Sequence, residues 1–199
     1  MPQRRIRAYI GLGGNIGDAE AILTRAIPAL TALPGVRLRG VSRLYATAPV
    51  GITDQAEFRN AVAAIDVAAG RDPTADGIAL LAELKALERA FGRLGGLRWG
   101  PRELDLDLLV LGRARITVER PGPTRSIDAD IDPAKASKLL EVPHPAAATR
   151  LFVLAPLADL APGLVPPGWG AELLTWRLYG AVTGTGRGAA AGSPPPSRR

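Results

Sequence analysis

Apolar and polar residues recur along the chain with two different periods, one typical of strands and the other of helices. Period-two alternation or a short apolar run predicts four strands, at residues 7–12, 36–45 and 57–67 and between residues 103 and 111. Apolar residues at every third or fourth position predict two helices, at residues 18–33 and 76–91. The predicted apolar stripe of the second helix is Leu80, Leu84, Leu87 and Phe91. We therefore predict the α+β class and a ferredoxin-like βαββαβ sandwich, in which both helices cover one face of an antiparallel sheet.

Turn-forming and capping residues mark the ends of these elements. Gly-Gly-Asn at residues 13–15 predicts the end of the first strand, and Asp18 is predicted to cap the first helix. Pro28 is predicted to kink the last turns of that helix, whereas Gly92 is predicted to end the second one. Thr, Pro, Gly and Asp residues predict a loop at residues 46–55.

The last third of the chain is less regular. Residues 113–138 are polar and turn-rich, which predicts an excursion from the domain. Val-Pro-His-Pro at residues 142–145 predicts an extended turn, because a residue that precedes proline avoids the helical region. Residues 150–160 are predicted to form a helix in a C-terminal extension. Residues 183–199 are rich in Gly, Ala, Ser and Pro and are predicted to be disordered.

Composition excludes several classes of protein. The 199 residues suit one domain, and the absence of cysteine excludes disulfides and thiolate chemistry. A single histidine excludes Cys/His zinc sites and leaves only His144 for a Ser-His-Asp triad. The chain has no apolar run of the roughly 18 residues that a membrane span needs. The basic N-terminus leads directly into a strand, so we predict no signal peptide and a cytoplasmic protein.

The charge balance is basic, with a formal net charge of +6, and arginine supplies almost all of the positive side. Arginine favours bidentate contact with phosphate, which fits a nucleotide or nucleic-acid partner. The same arginine bias would also arise in a GC-rich genome, in which case it would say nothing about function. The positions of individual arginines are therefore more informative than their number.

Asp105 and Asp107 carry the clearest chemical signal in the chain. On a strand their carboxylates share one face, about 7 Å apart at the backbone, while the alternating leucines point into the core. Two carboxylates this close repel each other unless a cation lies between them, and Mg²⁺ binds one or two carboxylates together with phosphate oxygens. Arg98 and Arg102 lie just upstream and could meet those phosphates. The alternative is a solvated strand face that carries two acids.

Other candidate residues allow two interpretations each. The glycine-containing basic loop that includes Arg93 is either a mobile lid or a plain exposed loop. Trp99 either stacks on a flat heterocycle or anchors the core, and His144 either contacts phosphate or is an exposed loop residue. Glu88 and Lys85 are predicted to lie on the polar side of the second helix, where each could equally be a solvated surface charge with no role in a site. The glycine-rich residues 11–15 match no complete nucleotide-binding signature and favour a tight turn.

Four segments together resemble a known family. They are residues 9–17, residues 42–60, residues 88–107 with the block Arg-Trp-Gly-Pro-Arg-Glu-Leu-Asp-Leu-Asp, and residues 142–157 with Val-Pro-His-Pro. In this order the segments resemble the 6-hydroxymethyl-7,8-dihydropterin pyrophosphokinase family of folate biosynthesis. The resemblance implies transfer of the terminal diphosphate of ATP to the hydroxymethyl group of the pterin, with release of AMP.

The resemblance also implies roles for individual residues. Asp105 and Asp107 would bind two Mg²⁺ ions along the triphosphate, and Arg93 and Arg102 would contact the reacting phosphates. The implied pterin-binding residues are Gly11, Thr47, Ala48, Val50, Phe58, Asn60 and Trp99. The implied ATP-binding residues are Lys85, Glu88, Arg98, Leu108, His144 and Arg150. ATP and the pterin would be the partners of a monomer that binds neither nucleic acid nor membrane.

The chain departs from the family pattern in three places. Gly95 occupies the position of a second loop arginine, and Lys85 stands where the family often has glutamine. Residues 119–138 resemble an insertion, which could be a lid, an oligomer contact or a loose loop; of these we favour the loose loop. We expect one pterin pyrophosphokinase domain at residues 1–180, followed by a disordered tail at residues 181–199.

Two other functions compete with this interpretation. A basic ferredoxin-like module that binds RNA would need exposed aromatic residues on its sheet. Aromatic residues make up only 5% of this chain, and the two aspartates would repel a nucleic-acid backbone. A Mg²⁺-dependent kinase for another hydroxylated heterocycle would have the same metal site and a different ring pocket.

Overall fold

The computed structural model describes residues 4–93, 100–121 and 137–170. The predictions for Gly95, Arg98 and Trp99, for most of the 119–138 insertion and for the disordered tail therefore lie outside the described residues.

The described chain forms seven strands, three α-helices and a short 3-10 helix at Ala147–Thr149. In chain order the strands and α-helices are β1 (Arg5–Gly14), α1 (Ala19–Thr31), β2 (Arg37–Val41), β3 (Tyr45–Thr47), β4 (Phe58–Ala68), α2 (Pro73–Ala90), β5 (Asp105–Leu111), β6 (Ile116–Glu119), β7 (Lys138–Val142) and α3 (Leu151–Leu160). The main sheet is antiparallel in the order β2-β4-β1-β5, with β3 also paired to β4. This order confirms the ferredoxin-like prediction.

The second strand is divided into two, which the sequence did not predict. Pairing of β2 with β4 shifts register between Leu38 and Gly40, and β2 ends at Val41. The chain pairs again as β3, which extends to Thr47 into the predicted loop. The prediction of one continuous strand at residues 36–45 was therefore wrong in its extent.

Helices cover both faces of the sheet. On one face α1 and α2 bury Leu23, Leu30 and Leu84 against the sheet. On the other face α3 packs Leu154 and Leu157 against Tyr9 and its neighbours. The prediction that helices lie on one face holds for α1 and α2, while α3 adds a third layer. Because both faces are covered, β4 is an almost continuous apolar run.

The helix ends agree with their sequence signals. Asp18 caps α1 as predicted, since its Oδ1 accepts a hydrogen bond of 3.0 Å from the Ala21 amide. Pro28 lies inside α1 without ending it. The second helix starts three residues earlier than predicted, at Pro73, because Asp72 caps it and proline suits the first helical position.

The excursion after β5 is anchored by a hairpin. Strands β6 and β7 pair antiparallel, and Glu119 lies opposite Lys138. Ile116 and Leu140 are buried in the core beneath α1 and α2, next to Gly77 of α2. In the described parts of the chain, no helix has the length and apolar character needed to cross a membrane.

Candidate active site

One row of residues crosses the sheet on the face that α3 covers. Asp105 lies opposite Gly13, and Gly13 lies opposite Asn60. Directly paired residues share a face, and neighbouring strands are about 4.8 Å apart, so Asp105 and Asn60 are about 10 Å apart at the backbone. The parallel row places Asp107 opposite Gly11. The glycines leave a bare floor between the carboxylates of β5 and the amide of β4.

The apolar cluster under α3 includes Val62 and Leu109. The two rows that contain Asp105 and Asp107 begin on the same face immediately beyond these residues, at the carboxyl end of β1. Thr47 and Phe58 also lie opposite each other here. Phe58 shares the face of Asn60 because the two lie two positions apart on the same strand. The two aspartates of β5 and much of the predicted pterin-binding set therefore lie at the same end of the sheet face that α3 covers.

The two aspartates differ in their surroundings. Both oxygens of Asp105 are bound: Arg93 donates to Oδ1, and Arg102 Nη1 donates to Oδ2 at 2.6 Å. Burial alone would raise the pKa of Asp105, but the charges of Arg102, Lys85 and Arg93 outweigh it and lower the pKa to about 2. Asp107 is half-buried and makes no side-chain hydrogen bond or ion pair with the described part of the chain.

Glu88 is buried, with 2% of its surface exposed, so the prediction that it lies on the polar side of α2 was wrong, and the alternative of a solvated surface acid is excluded. The buried stripe of α2 is Gly77, Leu80, Leu84 and Glu88, whereas the predicted stripe continued through Leu87 and Phe91. The reason is tertiary. Within the described sheet β5 lies at the edge, and its Leu106 amide donates to Glu88 Oε1 at 2.7 Å. Lys85 Nζ donates to the Leu106 carbonyl at 3.2 Å. The backbone N–H and C=O of Leu106 at this sheet edge therefore both have hydrogen-bond partners.

These side chains form a row of alternating charge. Glu88 Oε1 accepts from Lys85 at 2.7 Å, and Glu88 Oε2 accepts from Arg93 at 2.7 Å. Arg93 continues to Asp105, and Asp105 continues to Arg102. Burial and the nearby Asp105 charge raise the pKa of Glu88, against the opposing effect of Lys85. The pKa of Arg93 is raised because Asp105 and Glu88 outweigh its burial.

The part of this face formed by β3 and β4 is also held by hydrogen bonds. Asn60 is buried, and its Nδ2 donates to Thr47 Oγ1 at 2.7 Å. The start of β3 is tied to the end of α3 by Asp159, which accepts from Arg43 at 2.8 Å and from the Tyr45 hydroxyl at 3.0 Å. Thr47 therefore lies on a strand that is anchored at its other end.

The family resemblance implied only that residues 11–15 together form part of the pterin pocket floor, and sequence reasoning gave Asn15 and Gly14 no individual role. Asn15 is 6% exposed and hydrogen-bonded to two other segments of the chain. Gly14 belongs to β1, contrary to the prediction that residues 13–15 break the strand. A Cβ at Gly14 would lie 2.4 Å from the Glu103 carbonyl oxygen. The Gly-Gly-Asn run was the sequence feature that could have indicated these roles. The sequence does not show which segment packs against the run, so the roles could not be assigned from it.

The remaining predicted site residues lie outside the two rows that contain Asp105 and Asp107. Ala48 and Val50 are in the loop after β3, and Val50 is 61% exposed. The Leu108 side chain is buried in the core under α1 and α2, so it faces away from the aspartates. The His144 amide donates to the Leu109 carbonyl at 2.9 Å, which places His144 beside β5. Arg150 precedes α3, and its guanidinium lies 5.6 Å from the Phe152 ring centre.

Among the described residues, no three His, Cys, Asp or Glu side chains gather as a metal-binding cluster. A divalent ion at this site would therefore rest on two aspartates together with oxygens from another source. This donor set fits Mg²⁺ bound with a polyphosphate, since Mg²⁺ commonly takes one or two carboxylates plus phosphate oxygens.

Known proteins resemble the chain both in sequence and in fold. The family model described as 7,8-dihydro-6-hydroxymethylpterin-pyrophosphokinase matches residues 9–162, within the predicted domain of residues 1–180. The 2-amino-4-hydroxy-6-hydroxymethyldihydropteridine pyrophosphokinase of Methylorubrum extorquens is 41% identical over 80% of this chain and 85% of its own length. The enzymes of the same name from Pseudomonas aeruginosa and Bacillus subtilis are 38% and 39% identical, over 81% and 77% of this chain and 84% and 77% of their own lengths.

Solved structures of Plasmodium falciparum HPPK-DHPS share the fold. The wild-type protein with pteroate aligns with a TM-score of 0.63 at 14% identity, over 91% of this chain and 43% of that chain. A triple mutant of the same protein aligns with a TM-score of 0.66 at 14% identity, over 90% of this chain and 44% of that chain. This chain thus spans less than half of those longer proteins. With the family match over most of its length, the chain belongs to the 7,8-dihydro-6-hydroxymethylpterin-pyrophosphokinase family.

Proposed function

We propose that the chain transfers diphosphate from ATP to the hydroxymethyl group of 6-hydroxymethyl-7,8-dihydropterin, giving AMP and the pterin diphosphate in folate biosynthesis. Membership of the family supports this activity. The structural observation that carries the proposal is the row Asp105–Gly13–Asn60, which puts acidic and amide groups on one glycine-floored face.

The phosphate side of the site would be the β5 edge. Mg²⁺, as two ions held by Asp105 and Asp107, would supply positive charge that offsets the charge of the phosphates. Arg93 and Arg102 both bind Asp105 in the structure. Because a guanidinium binds phosphate oxygens in the same bidentate way as carboxylate oxygens, each arginine can exchange Asp105 for a phosphate. The exchange would leave the Asp105 carboxylate available to a cation.

The acceptor side would be the face of β3 and β4. The pterin ring is flat and rich in donors and acceptors, so the Asn60 amide and the Thr47 segment suit its polar edge, and Phe58 suits its face. Gly11 and Gly13 leave room for a ring to lie close to the sheet. The hydroxymethyl oxygen would attack the β-phosphorus, the bond to the α-phosphate oxygen would break, and AMP would leave while the hydroxyl proton is released. Positioning and charge carry this chemistry, so no strong base is required.

A product assay tests the activity. The protein is incubated with ATP, Mg²⁺ and the hydroxymethyl-dihydropterin, and the nucleotides are separated chromatographically. We expect AMP in a one-to-one ratio with pterin diphosphate. Formation of ADP, or the absence of turnover by correctly folded protein, would refute the proposal. Other hydroxymethyl heterocycles in the same assay test whether the pterin is the preferred acceptor.

The metal role is tested by a second experiment on variants. Asp107→Asn keeps the shape of the side chain and removes its charge. We expect at least a tenfold loss of kcat, since loss of even an outer-shell partner of a metal ligand costs about 10- to 100-fold. Glu83→Gln is the control, because Glu83 is an exposed acid on α2. Calorimetric titration of a non-hydrolysable ATP analogue at several Mg²⁺ concentrations should show weaker Mg²⁺ dependence for Asp107→Asn alone. Equal Mg²⁺ dependence in all three proteins would contradict the metal role.

A further inference from the structure

Asn15 joins the two sides of the site through its side-chain amide. It is buried, with 6% of its surface exposed, at the end of β1. Its Nδ2 donates to Gln55 Oε1 at 2.9 Å and to the Ala56 carbonyl at 3.0 Å. Its Oδ1 accepts from the Arg102 amide at 2.9 Å. Two oxygens on one side and one N–H on the other leave a single orientation of the amide that satisfies all three contacts.

The contact with Arg102 is reinforced by the backbone. The Asn15 amide donates to the Arg102 carbonyl at 2.9 Å, so Arg102 is bound through both its N–H and its C=O. The Arg102 guanidinium in turn binds Asp105 Oδ2. The position of this arginine is therefore set from the end of β1.

The other contact reaches the loop between β3 and β4, residues 48–57, which we name the acceptor loop. Gln55 Nε2 donates to the Ile52 carbonyl at 2.6 Å, which closes the loop on itself. Gln55 and Ala56 lie two to five residues before Phe58 and Asn60 of the proposed pterin site. The Asn15 side chain thus connects the acceptor loop to a proposed phosphate-binding arginine, Arg102, which is 87 residues from Asn15 in the sequence.

We propose that Asn15 is a positioning residue for the transfer reaction, which sets the acceptor loop at the correct distance from Arg102. This inference rests on the proposed function. In-line attack requires the acceptor oxygen within about 3–3.5 Å of phosphorus, and a displacement of about 1 Å between the two sides costs up to about a hundredfold in rate. The three contacts require two N–H donors and one oxygen acceptor, which a primary amide supplies. An aspartate has no donor and a serine has only one, so neither can replace it.

The main variant is Asn15→Asp, which keeps the size of the side chain and an oxygen acceptor for the Arg102 amide. It replaces two donated hydrogen bonds by repulsion between the carboxylate and the oxygens of Gln55 and Ala56. We expect kcat for AMP formation to fall by about tenfold or more. The dissociation constant of a non-hydrolysable ATP analogue, measured by calorimetry, should stay within about twofold, because the phosphate side keeps its own contacts. This separation distinguishes positioning from a general structural defect.

Two further variants keep the test decisive. Gln55→Met removes the acceptor for Asn15 at a half-buried loop position, and we expect a smaller fall in kcat with unchanged ATP affinity. This variant carries the test if circular dichroism shows that Asn15→Asp is unfolded. Asp18→Asn is the matched control, since Asp18 is exposed three residues away and asparagine caps a helix equally well. Its kcat should be that of the wild type.

The outcomes separate this inference from the proposed function. Failure of the wild type to form AMP would overturn the proposed function and this inference with it. Normal kcat in both Asn15→Asp and Gln55→Met, beside an active wild type, would overturn only the positioning role. Parallel losses of kcat and ATP affinity would also overturn it, because they would indicate collapse of the phosphate side.

Discussion

Replacing Gly14 with alanine tests how closely β1 must approach the segment that carries Arg102. A Cβ at this position would lie 2.4 Å from the Glu103 carbonyl oxygen, 3.2 Å from its carbonyl carbon and 3.4 Å from the Arg102 carbonyl oxygen. These are backbone atoms, which cannot rotate away as the end of a side chain can. Real Cβ atoms stay at least 3.0 Å from such neighbours, so the 102–103 segment must retreat by about 0.6 Å.

The structure gives the size of the expected effect. A retreat of this size would lengthen the 2.9 Å hydrogen bond from the Asn15 amide to the Arg102 carbonyl to about 3.5 Å, where little of its strength remains. Overpacking costs about 1–3 kcal/mol, and the weakened hydrogen bond adds about 1 kcal/mol. We expect Gly14→Ala to lower the free energy of unfolding by about 2–4 kcal/mol and Tm by roughly 5–15 °C. Turnover should fall about 10- to 100-fold because Arg102 moves with the segment.

Urea unfolding, calorimetry and AMP formation measure these effects on the same protein preparations. Gly163→Ala is the first control, because nothing lies within 4 Å of a Cβ there. Gly11→Ala is a second control for stability on the same strand, since its Cβ would make ordinary contact with Leu109 at 3.4 Å. If Gly14→Ala unfolded at the same urea concentration as Gly163→Ala, the close approach would not constrain the site and the reasoning would be wrong.

Three more predictions concern charge and packing elsewhere. The hydrogen bond from Arg7 lowers the pKa of Asp66. The stability that ionised Asp66 adds to the folded state is therefore complete above its ordinary pKa of 3.8 and is lost as pH falls through the folded-state pKa. Asp66→Asn should therefore cost about 0.5–1 kcal/mol at pH 7 and less at pH 2, as measured by urea unfolding. Leu84→Ala should cost about 2.7–5 kcal/mol in urea unfolding, since Leu84 is fully buried. Glu88→Gln should lower kcat several-fold, because Arg93 loses one of its two anions, while stability changes little because burial already raises the pKa of Glu88.

Each of these predictions has a control and a contradicting result. An Asp66→Asn penalty that is equal at both pH values would exclude the charge-based explanation. Leu81→Ala, at a partly buried position of the same helix, should cost less than Leu84→Ala, and the reverse order would contradict the packing described here. Glu83→Gln controls for loss of acidity on α2, and unchanged kcat in Glu88→Gln would show that Arg93 needs no second anion.

The sequence by itself determined the features that depend on local geometry. The period of two placed Asp105 and Asp107 on one face of a strand, because successive side chains on a strand alternate. The Asp18 cap and the helix at residues 150–160 follow from contacts within a few residues. The alternation of strands and helices determined the order of the sandwich, and the four-segment pattern indicated the family.

Tertiary structure alone decided which residues meet. Glu88 is buried because the edge of β5, 18 residues further along the chain, needs an acceptor for the Leu106 amide. The period of α2 cannot reveal this need. Asn15 finds partners 40 and 87 residues away, and Gly14 is required only because the 102–103 segment packs on it. Hydrophobic spacing records which face of an element is buried, whereas the partners of buried polar groups depend on contacts that exist only after the chain has folded.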